Sequence, residues 1–211
     1  HIGIGVVDNN GEIIIKTEKF LKEKNNIRNI LEEFITENVM QFALMYDIES
    51  IGIAVPGTIK NNNIIKAVNL NIENYNLATI LEKILKIKVK LKNDAKCAAL
   101  AEYKYGELKE YKNSLFLCIG TGIGGAVIYD GQLLEAEEVP GYEFSHMIIQ
   151  KDGELCNCGK RGCFEAYASL KRFKQKISDR FELNTLSGKE IRKFIQENSE
   201  NQILKEMIKE Y

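Results

Sequence analysis

Two runs of strand-type sequence open the chain. Ile2 to Val7 and Glu12 to Lys19 are rich in β-branched residues, and Asn9, Asn10 and Gly11 between them tolerate positive φ, so a β-hairpin is predicted. From Asn26 the period changes. Ile27, Ile30, Leu31, Phe34, Ile35 and Phe42 recur at helical spacing, and the pattern closes at Asp47 before a strand over Ile51 to Val55. A strand-like run at Ile64 to Val68, a helix near Leu77 to Leu85, a strand Lys88 to Leu91 and a helix from Asp94 to Tyr105 complete an α/β unit. A boundary near Lys112 is expected, giving an N-terminal α/β lobe over 1–112 and a C-terminal lobe over 113–211. The second begins as a β-meander through Ser114 to Ile119, Ala126 to Tyr129 and Gln132 to Leu134. It continues into a cysteine-rich loop and a helical tail, where Ser187 with Glu190 reads as a capping box.

Composition narrows the partners. Hydrophobic residues make up 45% of 211, enough for a proper core, and 29 basic against 30 acidic side chains leave a net charge of -1. Such balance gives no electrostatic footprint for nucleic acid or an anionic membrane. No apolar run reaches eighteen residues and HIGIGVVD lacks a signal-type pattern, so a cytoplasmic protein is expected. The chain starts at His1 directly on strand-like sequence and stops inside a helical pattern at NQILKEMIKEY, which reads as truncation at both ends.

The densest chemistry lies in the cysteine-rich loop. His146, Cys156, Cys158 and Cys163 fall within eighteen residues, bracketed by Glu143 and Glu165. A C-x-C-G-x-x-G-C hairpin with an upstream His supplies three thiolates and an imidazole, the tetrahedral set that zinc prefers. All four positions filled leave no place for a reactive water, so a structural zinc is expected. Gly159 and Gly162 stand where a tight turn must bring thiolates together. Cys97 and Cys118, set among Ala, Leu and Ile, read as small buried hydrophobes.

Two further segments admit two readings each. Gly120, Gly122 and Gly125 match G-x-G-x-x-G, but β-rich AVIYDGQLL follows rather than a helix, so a dinucleotide fold is excluded. The loop is then either a plain hairpin or an anion cradle of backbone N–H groups with the Thr121 hydroxyl. Asn93 and Asp94 end one strand and begin a helix. They serve as N-caps, or Asp94 is an acid at a strand's C-terminal edge, ready to accept a hydroxyl proton.

Set in order, these pieces resemble the ROK family of sugar kinases and sugar-responsive repressors. The matching features are VPG at Val55 to Gly57, NL at Asn69 and Leu70, NDAKCAALAE from Asn93, GTGIGGAVI from Gly120, E-x-x-H at Glu143 to His146, and CNCGKRGCFE from Cys156 to Glu165. The resemblance implies an α/β, actin-like ATPase (ribonuclease H-like) fold, two α/β lobes with sugar and ATP meeting in the cleft between them. It implies a glucokinase-like hexose kinase in which Asp94 is the general base for the sugar 6-hydroxyl. Gly57, Asn69, Asn93, Asp94, Glu143, His146 and Glu165 would contact the sugar. Gly120, Thr121, Gly122 and Gly124 would lie at the phosphates of ATP with Mg2+. His146 would hold zinc through one ring nitrogen and face the sugar with the other.

The chain departs from the pattern in two places. The family's acid-x-Gly-Gly-Thr phosphate loop should lie immediately before His1, and its adenosine-contacting segment beyond Tyr211. Ser145 replaces a Gly that usually precedes the His, from which a shift in sugar preference is expected. The resemblance also implies a homo-oligomer, a dimer, and leaves one alternative: a sugar-sensing regulator of the same family without kinase activity. That alternative calls for an upstream helix-turn-helix. Without one, no nucleic-acid partner is expected.

Overall fold

The computed structural model describes residues 1–21, 26–135, 144–184 and 186–211. They divide into two compact units, His1–Ser114 with Ile128–Gly141, and Leu115–Val127 with Tyr142–Tyr211. One boundary falls after Ser114, and the segment that follows Val127 groups with the first unit.

In the first unit, β1 (Ile2–Val7) and β2 (Ile13–Lys19) pair antiparallel, as the Asn-Asn-Gly turn predicts. Asp8 Oδ1 fixes that turn by accepting from the N–H groups of Asn10 and Glu12 at 2.9 and 2.8 Å. Helix α1 (Ile27–Ala43) turns Ile27, Leu31, Phe34, Ile35, Val39 and Phe42 inward, the face that its spacing predicts. Strand β3 (Ser50–Val55) follows.

The next segment holds more structure than the sequence pattern suggests. Instead of one strand at Ile64 to Val68, three short strands form an antiparallel sheet: β4 (Thr58–Lys60), β5 (Asn63–Ala67) and β6 (Ile72–Tyr75). Asn61 and Asn62 turn the first hairpin at φ 50° and 59°. Ile64 and Ile72 are fully enclosed, which is what the extra strands accomplish. Helix α2 (Leu77–Leu85) and α3 (Asp94–Tyr105) have the expected bounds, and β7 (Lys88–Asn93) pairs in parallel with β3, Val55 opposite Asn93. One core joins Leu31, Ile35, Ile64, Leu81 and Val89 from these layers.

The outer edge of β7 is closed by side chains. Asn62 donates to the Val89 carbonyl at 2.8 Å and accepts from Leu91 N–H at 2.6 Å, and Glu82 accepts from Val89 N–H at 2.9 Å. An amide side chain and a carboxylate thus take the place of a neighbouring strand.

A third sheet has the order β10-β9-β8, with β8 (Ser114–Ile119), β9 (Ile123–Tyr129) and β10 (Gln132–Leu133). In the second unit, α4 (Phe164–Ala168) precedes α5 (Leu170–Arg180), α6 (Gly188–Glu197) and α7 (Gln202–Glu210). The last three meet at Ile177, Ile191 and Leu204, and Ser187 with Glu190 forms the expected capping box. The two cysteines outside the loop depart from expectation, since Cys97 is only half-buried and Cys118 is exposed. Among the described residues no helix is long and apolar enough to cross a membrane.

Candidate functional site

In the first unit the parallel register brings the C-terminal ends of β3 and β7 level, the edge at which α/β proteins collect their ligands. Asn93 and Asp94 stand there, and the hydrogen bonds show which of them caps the helix. Asn93 is the cap: its Oδ1 accepts from Lys96 N–H at 3.2 Å, and its Nδ2 donates to the Gly57 carbonyl at 3.2 Å. Asp94 opens α3 with its side chain exposed, accepting from the adjacent Ala95 N–H at 3.0 Å. The helix is therefore capped without the Asp94 carboxylate.

Gly57 belongs to the same corner because nothing larger fits. A Cβ there would lie 2.3 Å from the Lys66 carbonyl oxygen and 2.9 Å from the Ala67 Cα, both backbone atoms that cannot yield cheaply. Gly57→Ala is expected to destabilise the protein by about 1–3 kcal/mol, read as a shift of the urea midpoint at unchanged slope. Asn69 sits on an exposed 3-10 turn, Val68–Leu70.

In the second unit the predicted ligand set converges. One ligand atom each from His146, Cys156, Cys158 and Cys163 lies within 4.8 Å of all the others. His146 Nδ1 is 3.7 Å from Cys156 Sγ, and Cys158 Sγ is 3.6 Å from Cys163 Sγ. A disulfide needs sulfurs about 2.05 Å apart. Donors about 2.0–2.3 Å from a central ion at tetrahedral angles stand roughly 3.5–3.8 Å from one another. The four residues therefore fit a tetrahedral metal ion, with Nδ1 as the imidazole donor.

The loop is shaped for this. Gly159 and Gly162 take φ of 88° and 80°, and a Cβ on Gly162 would collide with the Gln150 carbonyl. Cys156 N–H donates to the Lys160 carbonyl at 2.8 Å, Ile148 bridges Cys163, and Leu155 bridges Arg161. Burial pushes the Cys163 thiol up to about 12 and raises Cys156 as well. Burial also acts upward on Cys158, but the Lys160 N–H and the neighbouring thiols outweigh it and hold Cys158 below its usual value.

Helix α4 joins this loop to the glycine loop. Glu165 Oε2 accepts from Ile123 N–H at 2.8 Å, and a Cβ on Gly122 would lie 2.5 Å from that oxygen. Leu170 N–H, in the first turn of α5, donates to the Gly120 carbonyl at 2.9 Å, while Gly120 N–H bonds Gly122 O at 2.8 Å. None of the four glycines of this loop has positive φ, so close approach rather than unusual backbone accounts for Gly122 and Gly125. Thr121 is exposed at the tip, and β9 follows directly, as the absence of a helix pattern predicts.

Ser145 is buried at 3% exposure and its φ is not positive, so the hydroxymethyl group does not strain the turn. Glu143 lies outside the described residues. Sequence reasoning missed two supports of the metal loop. The Tyr167 hydroxyl accepts from Glu154 N–H at 2.7 Å, and Arg172 donates to the Leu155 carbonyl at 2.9 Å. Their only sequence signal is their place on helices directly after the last cysteine.

The order of elements, with a mixed α/β first unit and a hairpin glycine loop opening the second, is that of an actin-like ATPase fold, and solved structures agree. The Streptomyces griseus ROK glucokinase, in complex with glucose and AMPPNP, matches with a TM-score of 0.72 at 28% identity over 84% of this chain and 57% of that one. The chain belongs to the ROK family, whose description matches residues 1–211. A glucokinase of Thermotoga maritima is 31% identical over 81% of this chain and 55% of its own length. A xylose repressor of Bacillus spizizenii is 31% identical over 79% of this chain and 44% of its own. The chain thus spans about half the length of these curated relatives.

Proposed function

We propose that this chain is the sugar-binding and catalytic part of an ATP-dependent hexose kinase, acting at the 6-hydroxyl of a glucose-like sugar. The observation that carries the reading is the Asp94 carboxylate, exposed at the end of β7 while Asn93 caps the helix. A carboxylate in that place can take the proton of a sugar hydroxyl as its oxygen bonds the γ-phosphorus of ATP. The bond to the bridging oxygen breaks, and ADP leaves with that oxygen. Asn93, Glu143, His146, Glu165 and the Gly57 backbone hold the sugar hydroxyls in this reading, with Asn69 beside them. Gly120, Thr121, Gly122 and Gly124 approach the phosphates. Mg2+ bound with ATP would neutralise phosphate charge.

The metal of the Cys3His cluster is zinc in this reading. With all four donors from the protein it supplies no reactive water, and its part is to order the loop bearing His146 and Glu165. Binding must displace protons from the raised Cys156 and Cys163 thiols. Zinc affinity is therefore expected to climb with pH, by about 100-fold per unit or more near neutrality, with at least about two protons released per ion. Titration calorimetry in buffers of differing ionisation enthalpy reads that proton count.

The test of function is ADP release by the full-length protein against glucose, mannose, fructose, N-acetylglucosamine and N-acetylmannosamine. Turnover on one of them supports the kinase and names its substrate. The second reading, a sugar-responsive regulator, is favoured by the xylose repressor that matches at the same identity as the glucokinase. Sugar binding with no turnover on any of the five would establish it instead.

A further inference from the structure

The glycine loop is shaped from outside rather than by its own backbone, since no residue from Gly120 to Gly125 has positive φ. Three hydrogen bonds hold its tip. Gly120 N–H donates to the Gly122 carbonyl at 2.8 Å, Leu170 N–H to the Gly120 carbonyl at 2.9 Å, and Ile123 N–H to Glu165 Oε2 at 2.8 Å. Two of the three come from the α4-α5 segment, and Glu165 supplies the one that a side chain makes. All of these groups belong to the second unit.

The two oxygens of Glu165 stand differently. A Cβ on Gly122 would lie 2.5 Å from Oε2 but 3.8 Å from Oε1, so Oε1 is turned away from the loop, and among the described residues no hydrogen bond reaches it. An ionised carboxylate has about four lone-pair sites on its two oxygens, and the Ile123 amide uses one. The backbone beneath this side chain is fixed. Helix α4 starts on Cys163, Phe164 N–H donates to the Met147 carbonyl at 2.9 Å, and Ser169, buried at 2% exposure, donates its N–H to the Glu165 carbonyl at 3.2 Å. The side chain itself can still turn, so a group that bonds Oε1 also selects where Oε2 points.

We propose that Glu165 is a positioning residue that couples the sugar to the phosphate loop: a sugar hydroxyl on Oε1 holds the carboxylate in the rotamer whose Oε2 fixes the Ile123 amide. The inference rests on the kinase reading, in which Glu165 meets the sugar and the glycine loop meets the phosphates. Such coupling is reciprocal. Sugar tightens the nucleotide, and nucleotide tightens the sugar, by the same factor. One charge-assisted bond to a backbone amide, made or lost, sets that factor at about tenfold or more.

The test uses the full-length protein, the five sugars above and a non-hydrolysable ATP analogue. In the parent, a saturating sugar is expected to lower the Kd of the analogue by about tenfold. With sugar alone, the Ile123 amide should exchange with solvent about tenfold more slowly. Glu165→Ala should bring both ratios to about one, at sugar concentrations raised until the site is full. Glu165→Gln should restore most of both, because Gln keeps an acceptor for Ile123 N–H and a donor for a sugar oxygen; a merely structural defect would leave the sugar dependence intact in both variants. Ratios that persist in Glu165→Ala overturn the inference. So does a parent that binds both ligands with neither ratio departing from one, which leaves the kinase reading standing. A parent that binds no sugar, or sugar but no analogue, overturns both.

Discussion

Replacement of Asp94 by Asn in the full-length protein is expected to lower sugar phosphorylation by about 10²–10⁴-fold while leaving sugar affinity within a few-fold. The amide keeps the size and hydrogen-bonding reach of the carboxylate but cannot accept the hydroxyl proton, and general-base catalysis contributes about that factor. The loss corresponds to about 3–5 kcal/mol of transition-state stabilisation. The fold should hardly respond. Asn93 supplies the cap on Lys96 N–H, so the substitution costs α3 only the favourable charge at its first turn, about 0.3–1 kcal/mol. Turnover retained within tenfold would remove Asp94 from the mechanism, whichever sugar is used.

The second large effect concerns the thiol cluster. Cys156→Ser is expected to abolish stoichiometric zinc and to destabilise the full-length protein by about 3 kcal/mol or more, since a closed structural site contributes folding energy directly. Sugar turnover should fall with it, because the loop ends in α4, whose Glu165 holds the Ile123 amide, and in the first turn of α5, which holds the Gly120 carbonyl. Cys118→Ser is the matched control, an exposed thiol on β8 outside the cluster, and should leave metal content and melting temperature unchanged. Metal analysis with calorimetry on the two variants decides the matter. An unchanged melting temperature in Cys156→Ser, with no metal in the parent, would sink the structural-zinc reading.

What the sequence made legible depended on how strongly each segment was patterned. The β1-β2 hairpin was readable because Asn9-Asn10-Gly11 is turn chemistry between two β-rich runs, and α1 because its apolar residues keep a helical period over four turns. The sheet β4-β5-β6 was reduced to one strand because β4 has three residues and β6 carries Glu73 and Asn74 in its middle. The Asn61-Asn62-Asn63 run is the hairpin signal in this segment, since Asn tolerates the positive φ that residues 61 and 62 adopt. Cys118 was misplaced for another reason: SLFLCI is apolar almost throughout, so alternation cannot say which face of β8 is covered. The cluster of His146 with three cysteines was legible because ligand spacing is a local code, whereas Glu165 bonding Ile123 spans 42 residues and leaves no local trace. Which of residues 93 and 94 caps α3 is open in the sequence for a related reason, since Asn and Asp are both good caps and only the hydrogen bonds distinguish them.

That assignment at residues 93 and 94 separates two properties that are often fused at a helix start. Because the cap on α3 and the bond to Gly57 both come from Asn93, Asp94 can change without dismantling α3 or the corner shared with Gly57. If Asp94 is the base we propose, catalyst and sensor lie one substitution apart on the same scaffold, and a lineage could cross from one to the other through intermediates that still fold.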